Sequence, residues 1–271
     1  MTLGGCWSSP ADEPAPAPPN TAPTSPPARS YVALGDSYTA GPLIPVTEAN
    51  TGCFRSTGNY PSLLAEALEV TRFTDVSCSG AETRHVTEPH VTLADTTVPP
   101  QLDAVRRGTD LVTVGLGGND FALFAQGIMN LGGVPADAPQ QIGERLVDVL
   151  EAVRERAPRA TIVLVGYPRI VNPAASCPRL LPFTRTEQRA AATLQTRLND
   201  AMRRAAARAG ALFVDLFPAS RAHDICSKEP WVNGRRNVPG LATAYHPLAA
   251  AMQGVAREIQ LVLESHGNML G

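Results

Sequence analysis

The chain alternates two kinds of segment, and that alternation restricts its fold more than any other feature. "YVALG" (31–35), "DLVTVGLGG" (110–118), "TIVLVGYP" (161–168) and "ALFVDLFP" (211–218) are apolar runs bounded by Gly, Pro or Asp. A strand with one face in water alternates apolar and polar residues. A continuous run needs both faces covered, which is the habit of parallel strands. "FTDVSCSG" (73–80) is a fifth, weaker candidate. Between the runs lie helical stripes. Ile142, Leu146, Val149, Leu150 and Val153 form one in 141–156; Leu194, Leu198, Ala201, Met202 and Ala205 form another in 185–209. The last, in 247–264, carries Leu248, Met252, Val255, Ile259 and Val262. Pro247 suits its first helical position, where a missing N–H costs nothing. Such alternation predicts an α/β fold: a three-layer α/β/α sandwich with a central parallel sheet.

The ends and the charges set the boundaries. Residues 1–29 stand apart: "PADEPAPAPPNTAPTSPPARS" has no apolar period and is expected to be a disordered tether, leaving 30–271 as the folded domain. Leu3-Gly4-Gly5-Cys6 resembles a bacterial lipobox, although no charged and apolar signal regions precede it. It makes Cys6 a lipidation candidate and suggests membrane anchoring of an extracytoplasmic, secreted or envelope-bound protein. The other cysteines, Cys53, Cys78, Cys177 and Cys226, allow three pairings. Cys53–Cys78 and Cys177–Cys226 are the expected disulfides, because each pair falls within one half of the chain. No Cys/His spacing suggests a metal, so none is expected. With a net charge of −2 and no basic run, a nucleic-acid partner has no electrostatic support. A monomer is the default.

In parallel sheets ligands bind beyond the carboxyl ends of the strands. Ser37 follows the first run, Gly80 the weak one and Asn119 the next. The blocks "GDSYTAGP" (35–42), "SCSGAET" (77–83), "GLGGND" (115–120) and "YHPLAAAM" (245–252) occur in that order, three after strands and one at the last helix. This set resembles the GDSL/SGNH hydrolase family over residues 30–265, and "CFRSTGNYPSLLAEAL" is similar to its secreted actinobacterial lipases and esterases. The resemblance implies a flavodoxin-like fold and a serine ester hydrolase working without cofactor on small-molecule or lipid acyl esters. It implies Ser37 as nucleophile, His246 as general base, and an oxyanion hole from the Ser37 N–H, the Gly80 N–H and the Asn119 side chain. The chemistry agrees: acyl transfer needs a nucleophile, a base titrating near neutrality and donors for the developing charge. The same site could serve an acyltransferase; a catalytically silent surface-binding domain would not need the intact set.

One block departs from the pattern. Where the family carries an Asp three residues before the histidine, this chain has Thr243. A Ser/His dyad is expected, with the Thr243 carbonyl orienting the ring. The rival is a carboxylate from elsewhere, Asp215 or Asp224, while Asp36 is expected to fix the nucleophile turn. His85, His90 and His223 are the competing histidines. Trp231, Phe121 and Phe124 are candidates to line an acyl pocket, whose depth rests on loops 43–58, 84–99 and 219–244.

Overall fold

The computed structural model describes Met1, residues 29–129 and residues 132–267. Cys6 and the rest of residues 2–28 of the tether lie outside the described residues. Five parallel strands form the central sheet: β1 (Ser30–Gly35), β2 (Arg72–Asp75), β3 (Leu111–Gly115), β4 (Thr161–Val165) and β5 (Leu212–Val214), in the order β2-β1-β3-β4-β5. Tyr31 stands opposite Phe73 on one side and Leu111 on the other, and Gly35 stands opposite Gly115.

Both faces of the sheet are covered, which explains the unbroken apolar runs. Val32, Leu34, Val112 and Val114 point into one core with Ile142, Leu146 and Leu150 of α2 (Ala138–Arg156) and Leu198 and Met202 of α3 (Arg185–Arg208). Tyr31, Ala33, Leu111 and Val163 point into the other, against Leu64 of α1 (Tyr60–Ala67) and Met252, Val255 and Ile259 of α4 (Ala249–Ser265). Leu146 is fully buried, so Leu146→Ala would cost about 2–5 kcal/mol of stability. Local chemistry starts the helices. The Asn59 side chain caps α1, and Thr184 and Glu187 form a reciprocal capping box at α3.

Two boundaries differ from expectation. The weak strand ends at Asp75, whose carboxylate turns the chain by accepting from the Ser77 N–H (2.9 Å) and the Asn59 side chain (2.7 Å). The last helix begins at Ala249, not Pro247. Pro247 is drawn into a bridge with Val232, and the Leu248 N–H donates to the Trp231 carbonyl (2.8 Å), so both stay extended. Disulfides join Cys53 to Cys78 (2.01 Å) and Cys177 to Cys226 (2.00 Å). No helix among the described residues is long and apolar enough to cross a membrane.

Candidate active site

Ser37 opens a single helical turn, Ser37–Ala40, at the carboxyl end of β1. The turn lies close over the sheet because β1 and β3 both end in glycine. A Cβ on Gly35 or Gly115 would stand 2.1 or 2.5 Å from the Thr39 hydroxyl oxygen. Asp36 caps the turn: its Oδ1 accepts from the Tyr38 N–H (2.8 Å), and its Oδ2 accepts from the Tyr167 hydroxyl (2.5 Å). The same Tyr167 oxygen accepts from the Gly118 N–H (2.8 Å), so one phenol joins the Ser37 turn to the loop bearing Asn119. Asp36 is buried and is pushed up to about 7, chiefly by desolvation and against the Tyr167 bond.

His246 meets Ser37 from the other side. Its Nε2 lies 2.8 Å from Ser37 Oγ and its Nδ1 lies 2.7 Å from the Ala244 carbonyl. The second contact makes Nδ1 the protonated nitrogen and leaves Nε2 free to accept. The expected orienting group was the Thr243 carbonyl, and the structure corrects this by one residue. The Thr243 carbonyl accepts instead from the His246 backbone N–H (3.2 Å) and from Asn233 Nδ2 (3.0 Å). Tyr245 adopts a left-handed φ of 59°, which bends the chain enough for the Ala244 carbonyl to meet the ring. Burial pushes the His246 pKa below the usual imidazole value, partly offset by the Ala244 bond.

Among the described residues no carboxylate hydrogen-bonds to His246. Asp215 is occupied by Asn199, Arg203 and the Phe217 N–H, and Asp224 by Asn172 and the Cys226 N–H. His85 and His90 stack on one another, and His223 stacks on Trp231; none reaches Ser37.

Gly80 and Asn119 border the same cavity as Ser37 and His246. Gly80 takes a φ of +86°, a conformation costly for other residues, and its N–H has no partner among the described residues. Asn119 Nδ2 donates to the Ala81 carbonyl (2.9 Å), which holds the amide at the rim and leaves its second N–H available. Next to it, buried Asp120 accepts from the Thr83 N–H (2.9 Å) and hydroxyl (2.5 Å) and pairs with Arg145 (2.9 Å). The two loops are thereby tied into one unit.

Two cavities flank the Ser37–His246 pair. The larger, about 390 Å³, is walled by Pro42, Leu43, Phe54 and Leu93. The smaller, about 260 Å³, is walled by Tyr38, Phe124, Met129 and Tyr245. Of the expected aromatics only Phe124 lines either. Trp231 packs against α4 at Gly254, and Phe121 lies under the Arg145 guanidinium (4.3 Å). Three positioning residues were not foreseen: Tyr167, Asn233 and Tyr38, whose hydroxyl donates to the Tyr245 carbonyl (2.5 Å). Tyr38 was visible in the motif beside Ser37. Nothing in "EPWVNG" marks Asn233. Among the described residues, no group of three His, Cys, Asp or Glu is arranged for a metal.

A doubly wound α/β sheet bearing a serine–histidine pair and backbone donors on its carboxyl rim is the class that fold and site define. The profile of the GDSL-like lipase/acylhydrolase family matches residues 33–253, and the chain belongs to that family. It is similar to Lipase 2 of Streptomyces coelicolor, 37% identical over 265 residues, covering 88% of this chain and 86% of that protein. A lipase of Streptomyces rimosus is 34% identical, with 82% of each chain covered. Among solved structures, a phospholipase A1 from Streptomyces albidoflavus superposes with a TM-score of 0.71 at 31% identity, covering 88% of this chain and 99% of that one. An extracellular lipase from Streptomyces rimosus gives 0.70 at 33% identity, with the same coverage.

Proposed function

We propose that this lipase/esterase of the GDSL family cleaves acyl esters through a covalent intermediate on Ser37, using a Ser/His dyad. The observation that carries the proposal is the pair of contacts at His246, 2.8 Å to Ser37 Oγ and 2.7 Å to the Ala244 carbonyl. Ser37 Oγ attacks the ester carbonyl carbon while His246 Nε2 takes its proton. The resulting oxyanion is stabilised by the Ser37 N–H, the Gly80 N–H and the Asn119 amide. Collapse breaks the bond to the alcohol oxygen, which leaves with the proton from His246. Water then attacks the acyl-enzyme, again giving its proton to Nε2, and the acid departs as Ser37 recovers its hydrogen. The Ala244 carbonyl fixes the tautomer and receives the Nδ1–H of the transient imidazolium. As a neutral acceptor it stabilises that cation less than a carboxylate would.

The apolar walls of both cavities support an ester with hydrophobic groups on either side of the carbonyl. The two disulfides, and the likeness to an extracellular lipase, support work outside the cytoplasm. Lipidation at Cys6 would hold the enzyme at the envelope, and mass spectrometry of the mature N-terminus tests it.

The dyad is tested with a fluorophosphonate probe and p-nitrophenyl esters from acetate to palmitate. The wild type should label on Ser37 and hydrolyse part of the series; Ser37→Ala and His246→Ala should do neither. A folded wild type that takes no label and cleaves no ester would overturn the proposal.

A further inference from the structure

Two segments that border the larger cavity carry aliphatic side chains that face water. On one side, the hairpin pairing His90–Val91 with Thr97–Val98 exposes Val91 (63%) and Leu93 (73%), and Leu93 also borders the cavity. On the other side runs the segment 234–242, which closes on itself through a Val238–Ala242 bridge. It exposes Val238 (40%) and Leu241 (44%), and Asn237 and Thr243 beside that turn border the same cavity. Single exposed aliphatics are ordinary on a folded domain; four on the two segments that border one opening are a concentration.

Charge says what the patch would meet. Arg235 and Arg236 are exposed in the same segment and form no ion pair among the described residues. The segment 234–242 contains no acidic residue, and the hairpin 90–98 contains only Asp95. This local excess of positive charge stands on a chain whose net charge is −2. Aliphatic tips beside unpaired guanidinium groups fit an interface that is negative at its surface and apolar just beneath.

We propose that this face docks onto an anionic lipid surface. Val91, Leu93, Val238 and Leu241 enter the boundary between headgroups and acyl chains, while Arg235 and Arg236 pair with lipid phosphates. Docking would set the cavity mouth directly on the acyl region. The functional gain therefore rests on the ester-hydrolase proposal, but the binding itself does not.

Binding is measured without turnover, by cosedimentation of the full-length Ser37→Ala chain with phosphatidylcholine vesicles containing or lacking phosphatidylglycerol. The expected result is binding that depends on phosphatidylglycerol and falls as salt is raised. Replacing Arg235→Gln and Arg236→Gln together should weaken it by roughly 30-fold. Leu241→Ser should weaken it further. In the Ser37-containing enzyme these three changes should leave hydrolysis of soluble p-nitrophenyl acetate and the thermal midpoint at wild-type values. Failure of Ser37→Ala to bind, equal binding to both vesicle types, or unchanged binding by the variants would each overturn the proposal. So would concentration-dependent dimerisation abolished by Leu241→Ser, which would assign the patch to a second copy of the chain. Loss of ester hydrolysis in the wild type would instead strike the proposed function, whatever the vesicles show.

Discussion

Ser37 and His246 face each other across 2.8 Å but are held by different kinds of structure. Ser37 stands on the end of a central strand. The turn beneath it is capped by Asp36, seated by Thr39 over two glycines and tied through Tyr167 to the neighbouring loop. His246 stands in a stretch with no helix or strand between Ala219 and Ala249. That stretch is placed by a few side-chain bonds, most of them within the stretch itself. Asn233 Nδ2 reaches the carbonyls of Arg236, Ala242 and Thr243, its N–H reaches the His246 carbonyl, and Tyr38 reaches the Tyr245 carbonyl. The sheet over-determines the position of Ser37. The position of His246 depends on fewer side chains, so one substitution there should displace it where several would be needed to displace Ser37.

The largest effect should come from removing a donor on the rigid side. Asn119→Ala is expected to lower kcat by about 10²–10³ with little change in KM. Steady-state kinetics on p-nitrophenyl butyrate check this, and a loss below tenfold would assign oxyanion binding elsewhere. Asn233→Ala should approach it from the other side, at roughly 10²-fold in kcat, because a displacement of even about an ångström at the imidazole misaligns the attack. The rate of fluorophosphonate labelling should fall in parallel; an unchanged rate would mean that the histidine loop holds itself.

Tyr167→Phe removes one hydroxyl from a buried bond to a carboxylate and should cost about tenfold in kcat/KM. It also has a pH signature. The folded pKa of Asp36, about 7, lies above its unfolded value of 3.8, so the folded chain holds a proton that the unfolded chain has released between those values. The associated stability is present in acid and lost as pH rises through 7. Tyr167 favours the charged carboxylate, so its loss should depress the thermal midpoint more in mild alkali than in mild acid. An equal depression on both sides would detach Tyr167 from Asp36.

A smaller effect concerns His246. Burial keeps His246 below the imidazole norm of 6.5, so the acid limb of kcat/KM should fall below that value. A limb displaced upward would point to a negatively charged partner on Nδ1. Least of all should come from Thr243→Ala, expected within about twofold of wild type because its contacts to the site are made by its backbone.

The same contrast explains what was legible in the sequence. β1 and the Ser37 turn follow local rules, an apolar run and an Asp cap, and α2 and α3 announce themselves by their stripes. The edge strand β2 was faint because Arg72, Phe73 and Thr74 are exposed and need not be apolar. The four motif residues could be numbered from the motifs themselves. The orienting carbonyl could not, because a carbonyl belongs to every residue and only the left-handed Tyr245 decides which one turns inward. Asn233 was hidden for a related reason. Its partners are all backbone, and backbone leaves no trace in the side-chain sequence.

The Cys53–Cys78 bond has a consequence for when the enzyme becomes competent. It links the residue before Phe54, a wall of the larger cavity, to the segment two residues ahead of Gly80, a candidate donor. Where thiols are kept reduced, wall and donor sit on separate loops that only weaker contacts hold together. Oxidation closes them into one frame, so the finished geometry of the site depends on the redox state of the compartment in which the chain folds.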